Sequence, residues 1–174
     1  MICKICGVNE TDNSKGICND CEYYKKHRDR WKPDNVTILF IAESPPRPRK
    51  NGERPYFYNE ESQDDDGLWN QFNMALDFTS NGKEEFLKEF QKRGYMFGDI
   101  FPTYWNFEEF QKKQYNANRK HIISHFTNMI IENQPEKIVF VCKRAVSLLS
   151  LPFPRYSKEN KDNFIDGIRN IIDG

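Results

Sequence analysis

Apolar residues along the chain follow two patterns, short continuous runs and helical repeats. The short runs predict strands that are buried on both faces, and they lie at 36–42, 95–101 and 137–142. Helices are predicted mainly from apolar residues spaced three and four positions apart, at 22–32, 67–79, 83–93, 119–133, 143–151 and 163–172. Residues 43–66 contain four prolines and are predicted to form a long loop, whereas 102–118 carry no clear pattern.

This order of elements predicts an α/β fold. Strands that are apolar on both faces and alternate with helices are typical of a parallel sheet covered on two sides. We therefore expect a three-layer αβα sandwich with a mostly parallel sheet of about four strands. Three of these strands are clear from the pattern, and the fourth is a very short one near Leu151–Pro154.

The bulk composition excludes several protein classes. With 174 residues, 37% of them hydrophobic and 30% charged, the chain suits one globular domain with a small appendage. No apolar run is long enough to cross a bilayer and no signal-peptide pattern opens the sequence. We therefore expect a cytoplasmic protein without a membrane partner.

The charge of the chain is balanced overall but uneven locally. The 26 basic and 26 acidic side chains give a net charge of zero, which argues against indiscriminate nucleic-acid binding. The loop segment 47–54, however, has four positive side chains and one negative.

Four of the five cysteines form a metal-ligand pattern at the start of the sequence. Two residues separate Cys3 from Cys6, two separate Cys18 from Cys21, and 11 lie between the pairs. Two such pairs can complete a tetrahedral zinc site, and four thiolates leave no position open, so we predict one structural Zn²⁺. Two disulfides or an iron–sulfur cluster are the alternatives.

The cysteine pattern also suggests how the chain is divided. Residues 1–32 are predicted to form a small zinc ribbon or knuckle followed by a basic helix, and residues 33–174 to form the α/β domain. The fifth cysteine, Cys142, lies in a predicted strand and is expected to be a buried core residue.

Candidate chemistry follows the first predicted strand, because α/β proteins bind ligands at the carboxyl ends of their strands. Glu43 lies there, before a rigid Ser-Pro-Pro turn, and could act in catalysis, cap the turn or pair with an arginine. Tyr56, Phe57 and Tyr58 lie in the same loop after a basic stretch. Such rings suit base stacking, and they equally suit ordinary core packing.

Several motifs together resemble the uracil-DNA glycosylase superfamily. Residues 39–46, with the sequence LFIAESPP, resemble its opening motif, nearest to the branch with Gly-Glu-Ala-Pro-Gly. Residues 54–58 stand where that branch has an Arg-Pro-Phe whose ring stacks on the flipped base. Residues 86–99 resemble the segment leading to its second strand, and 137–149 resemble its later strand and Gly-Lys-x-Ala helix. The resemblance covers about residues 36–172.

The resemblance implies a DNA glycosylase that removes uracil or a related deaminated base. Such an enzyme extrudes the base and hydrolyses its N-glycosidic bond, while a carboxylate stabilises the oxocarbenium-like sugar or orients water. Glu43 matches that carboxylate, and Asn59 and Asp99 are candidates to read the polar edge of the base. The implied partner is damaged or single-stranded DNA, and we expect a monomer. The catalytic candidates are Glu43 and Asp99, and the substrate-binding candidates are Ser44, Tyr56, Phe57, Tyr58, Asn59, Lys143 and Arg155.

The sequence also departs from the superfamily. Ala42 replaces the first glycine of the opening motif, and Pro46 replaces the last, which removes a backbone N–H. The superfamily's His-Pro-Ser motif has no counterpart, since residues 151–157 contain no histidine. Lys143 or Arg155 could replace that electrophile, or either could simply contact phosphate.

Three functions stay open on this evidence: the glycosylase, a catalytically silent relative that binds nucleic acid or a nucleotide, and another small-molecule or protein-binding role. The missing histidine and the zero net charge favour the second. His121 and His125 have an i, i+4 spacing compatible with a metal, although a surface position is the more common outcome for such a pair.

Overall fold

The structure, a computed structural model, is built around three parallel strands. It describes residues 1, 3–5, 14, 16–62, 67–104 and 112–141, the last range with its side chains from 121 onward. The strands are β1 (Ile38–Ala42), β2 (Tyr95–Asp99) and β3 (Lys137–Phe140), in the order β2-β1-β3. Ile38 lies opposite Tyr95 on one side and Lys137 on the other. The prediction of three strands in a parallel sheet is confirmed.

Four helices accompany the strands in the described part of the chain: α1 (Asn19–Arg30), α2 (Leu68–Ala75), α3 (Lys83–Lys92) and α4 (Lys112–Asn133). The predictions of these four helices are confirmed, with differences at their ends. The largest difference is in α4, which begins at residue 112, inside the segment that carried no clear pattern.

The rest of the predicted fold lies outside the described residues. This applies to the fourth strand near Leu151–Pro154, to the helices at 143–151 and 163–172, and to the core position predicted for Cys142.

Two apolar clusters lie on either side of β1, because alternate residues of a strand face opposite ways. Phe40 packs in the first cluster with aromatic residues of α2 and α3, such as Phe72 and Phe90. Leu39 packs in the second, with residues of α4 such as Met129. The residues of β1 are apolar throughout because both faces of the strand are buried.

Two glycines allow close contacts that position β2. Gly94 has a φ of +73°, where a side chain would be strained, and its carbonyl accepts a hydrogen bond of 2.8 Å from the Thr37 N–H. Gly98 faces α4, and a Cβ atom there would overlap the sulfur of Met129. The turn from α3 into β2 and the approach of α4 to the sheet therefore both depend on glycine.

Helix α1 shares its core with the α/β part of the chain. Tyr24 and Trp31 are buried in the first apolar cluster. Asp20 forms a salt bridge of 2.7 Å with Arg54 of the long loop, and the Trp31 indole N–H donates to Glu60 at 3.3 Å. None of the described helices has the length and apolar character needed to cross a membrane.

Candidate functional site

A cavity of about 400 Å³ opens at the carboxyl ends of β1 and β2. Its volume is in the range of pockets that hold small organic molecules, roughly 300–1,000 Å³. The polar residues of its lining are Ser44, Lys83 and Asp99, and aromatic and proline side chains form most of the rest of its wall. We refer to it as the aromatic cavity.

Asp99 is the acidic residue of this cavity and the last residue of β2. Only 4% of its surface is exposed. Burial raises the pKa of the carboxyl group to about 7, although the positive charge of Arg28 acts in the opposite direction. Near neutral pH, Asp99 therefore exists in both its neutral and its ionised form.

Lys83 brings a positive charge to the wall of the cavity from the first turn of α3. It is buried, and its Nζ donates a hydrogen bond of 2.7 Å to the backbone carbonyl of Tyr56. Sequence reasoning missed this residue. The available signal was its position three and four residues before Phe86 and Leu87, which puts Lys83 on the buried face of the helix.

The loop aromatics divide between the cavity and the core. Tyr56 and Phe57 are buried and still line the cavity, and the ring of Phe57 stacks on that of Phe97 with centroids 4.4 Å apart. Tyr58 is fully buried, and its hydroxyl oxygen accepts a hydrogen bond of 2.6 Å from the Phe97 N–H. Tyr56 and Phe57 therefore have positions that suit both base stacking and core packing, whereas Tyr58 belongs to the core. Trp69 adds another ring to the lining, and its place there was not predicted from the sequence.

Glu43 lies beside the aromatic cavity and is not among the described residues that line it. It directly follows β1, is partly buried, and its carbonyl accepts a hydrogen bond of 2.9 Å from the Phe101 N–H. The next residue, Ser44, does line the cavity. Glu43 is thereby held at the carboxyl end of β1, beside the carboxyl end of β2, where Asp99 lies.

Asn59 organises the loop. Its Nδ2 donates to the carbonyl of Arg54 at 3.0 Å, and its Oδ1 accepts from the Glu61 N–H at 3.3 Å. The structure therefore brings Ser44, Tyr56, Phe57 and Asp99 together in the cavity, but not Glu43, Tyr58 or Asn59. Lys143 and Arg155 lie outside the described residues.

The two histidines of α4 have different surroundings. His121 is exposed, as expected. The surface position expected for His125 is wrong, because its ring is partly buried and its Nε2 donates to the backbone carbonyl of Asp99 at 3.2 Å. Burial lowers the pKa of His125 to about 4, so the ring is neutral near pH 7. No local pattern indicates this contact, since Asp99 is distant along the chain.

Three of the four amino-terminal cysteines form a buried cluster. The Sγ atoms of Cys3, Cys18 and Cys21 all lie within 4.8 Å of one another, and none of the three forms a disulfide. Four sulfurs bound to one zinc at about 2.3 Å would lie roughly 4 Å apart. The cluster is therefore compatible with a metal site, and Cys6 lies outside the described residues.

The cysteine cluster lies at the amino-terminal end of α1. Cys18 occupies the N-cap position of α1 and Cys21 lies in its first turn, where unpaired N–H groups and the helix dipole favour negative charge. The Cys18 N–H donates to the Sγ of Cys3 at 3.3 Å. Both features place backbone N–H groups beside the sulfurs that a metal would bind.

Comparison with known proteins adds no relative to this description. No protein-family model matches the chain, no curated protein matches it, and no solved structure matches it.

Proposed function

We propose that this protein is a DNA glycosylase that removes uracil or a related deaminated base, and that the aromatic cavity holds the extruded base. The single observation that carries the proposal is the cavity itself, in which a buried carboxyl group, Asp99, shares a wall with stacked aromatic rings at the carboxyl ends of two parallel strands. The motif resemblance of residues 36–172 to the uracil-DNA glycosylase superfamily supports the same assignment.

The lining suits a planar polar ring. Tyr56, Phe57 and Trp69 offer aromatic surface for a base, and such stacking contributes about 1–3 kcal/mol per base. Ser44 offers a hydroxyl group, and Lys83 offers a positive charge that favours a departing base anion. A nucleobase combines the flat face and the polar edge that these groups would contact.

Asp99 is the carboxylate we assign to the reaction. The C–N bond breaks, its electron pair leaves with the base, and the sugar becomes positively charged before water adds to the anomeric carbon. The ionised carboxylate of Asp99, present because the pKa is about 7, stabilises that charge and accepts a proton from the water. The resulting neutral form can then donate this proton to the base. Glu43 has the supporting role, because it adjoins the cavity through Ser44 without lining it.

The proposal extends to the whole chain. Residues beyond Val141 would complete a three-layer sandwich with the fourth strand, and Lys143 and Arg155 would contact the substrate. One structural zinc ion would be held by Cys3, Cys18, Cys21 and Cys6, the first three of which already form a cluster. We propose DNA, damaged or single-stranded, as the partner of a cytoplasmic monomer.

A base-release assay tests the proposal. The full chain is incubated with oligonucleotides carrying uracil, hypoxanthine or xanthine, each single-stranded and double-stranded, and the free base is measured. We expect release of at least one base. Absence of release from every substrate would overturn the assignment.

A second function is favoured by the position of Glu43. The carboxylate that matches the superfamily motif is not part of the cavity lining, as would suit a relative that binds nucleic acid or a nucleotide without catalysis. Such a relative would bind DNA in a salt-dependent manner without releasing a base, and its affinity for DNA would be the same in Asp99→Asn.

A further inference from the structure

A second concave site lies on the side of β2 that faces α4, away from the aromatic cavity. It is a cleft of about 230 Å³ between the cysteine cluster, α1 and α4. Four basic side chains line it, namely Lys4, Lys25, Arg28 and Lys32. Lys25 and Arg28 are three residues apart in α1 and so share one face of that helix, and Lys32 follows its end. We refer to this site as the basic cleft.

In the described part of the chain, one of these four basic side chains forms a salt bridge with a carboxylate. Lys25 pairs with Asp29. Among the described residues, no carboxylate forms a salt bridge with Lys4, Arg28 or Lys32. Asp29 and Glu132 are the acidic residues of the lining. The lining therefore has four basic and two acidic side chains, and the charge of Arg28 also acts on the buried carboxyl group of Asp99. In a confined space, the attraction of basic side chains for an anion is greater than on a flat surface.

The opposite wall offers hydrogen-bonding groups. His121, Ser124, His125 and Asn128 of α4 line the cleft at helical spacing. The cleft is smaller than the roughly 300–1,000 Å³ of pockets for drug-sized ligands. It suits a small anion such as a phosphate group better than a whole nucleotide.

We propose that the basic cleft binds a backbone phosphate of the nucleic acid whose base enters the aromatic cavity. The choice of nucleic acid as the source of the phosphate rests on the proposed function. Phosphate contacts of this kind fix the position of a strand without reading its sequence.

The two sites are joined through β2. Met96 lines the basic cleft, whereas Phe97 and Asp99 line the aromatic cavity. The carbonyl of Asp99 accepts a hydrogen bond from His125, which lies in the cleft wall. β2 is an edge strand of the described sheet, so a nucleic-acid strand passing around that edge can engage both sites.

The salt dependence of DNA binding tests this inference. Binding of a uracil-containing single-stranded oligonucleotide is measured by fluorescence anisotropy at several salt concentrations for the wild type, Arg28→Gln and Lys32→Gln. Each lost phosphate contact should reduce the slope of log K against log salt by about 0.7.

Lys88→Gln is the matched control, since Lys88 is exposed on α3 and pairs with Glu84. Thermal unfolding verifies that each variant is folded, and Lys32, which is exposed, is the variant least able to disturb the fold.

Parallel base-release measurements separate the two proposals. Base release with slopes unchanged in Arg28→Gln and Lys32→Gln would overturn the cleft and leave the glycosylase standing. Reduced slopes without base release by the wild type would support the cleft and overturn the glycosylase. Binding of inorganic phosphate that requires Arg28, with unchanged oligonucleotide slopes, would show a site for the free anion and contradict the inference.

Discussion

At the residue scale, Asp99 couples the stability of the fold to the chemistry of the cavity. An ionised carboxylate is costly to bury, and burial is the largest influence on this group. The same burial keeps part of the population protonated near neutral pH, as a group acting in proton transfer requires. We therefore expect the ionised form of Asp99, on which the proposed reaction depends, to lower the free energy of unfolding.

The pH dependence of stability should reveal this cost. With a folded pKa of about 7 against an ordinary value of 3.8, folded Asp99 keeps a proton that the unfolded chain has lost. Stability therefore falls as the pH rises from about 4 to 7. Asp99→Asn is neutral throughout and should remove this fall, by up to about 3 kcal/mol between pH 5 and pH 8. Urea denaturation at both pH values measures the difference, and an equal fall in both proteins would contradict the assigned pKa shift.

Tyr58 is the second residue whose role can be isolated. Removing its hydroxyl in Tyr58→Phe leaves the buried Phe97 N–H without its acceptor, which should lower the free energy of unfolding by about 1–3 kcal/mol. Tyr56→Phe is the control, because the Tyr56 hydroxyl forms no hydrogen bond with the described residues. Denaturant midpoints compare the two variants. Equal midpoints would show that the bond to Phe97 contributes nothing.

At the element scale, α1 connects the cysteine cluster to the α/β core. Cys18 and Cys21 lie at the amino-terminal end of α1. Tyr24, further along the helix, and Trp31, which follows its last residue, are buried in the first apolar cluster. A metal at the cysteines would therefore stabilise more than a short amino-terminal segment. It would also hold the face of α1 that forms one wall of the basic cleft.

Metal content tests this connection. We expect one zinc ion per chain in the wild type and a loss of zinc in Cys21→Ser, because Cys21 belongs to the buried cluster. Elemental analysis measures the content, and chelation should lower the thermal unfolding midpoint by several degrees. Cys142→Ala, which removes the one cysteine outside the predicted site, should retain the metal. Zinc retained by Cys21→Ser would contradict the assignment.

Elements were more predictable from the sequence than the roles of single residues. The strand at 36–42 and the helix at 83–93 were clear because periodicity is a local property. The contact between His125 and Asp99 and the hydrogen bond from Lys83 to Tyr56 depend on the tertiary fold, which no local pattern carries. Phe57 both packs in the core and lines the cavity, so a choice between the two roles could not be made from the sequence.

At the scale of the whole molecule, the sheet organises two sites of different chemistry. The aromatic cavity presents rings and a buried carboxyl group, and the basic cleft, on the other side of β2, presents more basic than acidic side chains. A net charge of zero is compatible with nucleic-acid binding when positive charge is confined to one such cleft. We therefore predict that the nucleic-acid strand binds in one fixed position and that its affinity depends moderately on salt.

The most direct test of the central claim is the single-turnover release of uracil from a single-stranded oligonucleotide by the wild type and Asp99→Asn. We expect release by the wild type and a decrease of at least about 100-fold in the variant, since a positioned acid or base contributes about 10²–10⁴-fold. Glu43→Gln should lower the rate less, and Glu84→Gln, at an exposed site on α3, should not change it. Wild-type release that persists in Asp99→Asn would contradict the claim that the aromatic cavity is where the base is released.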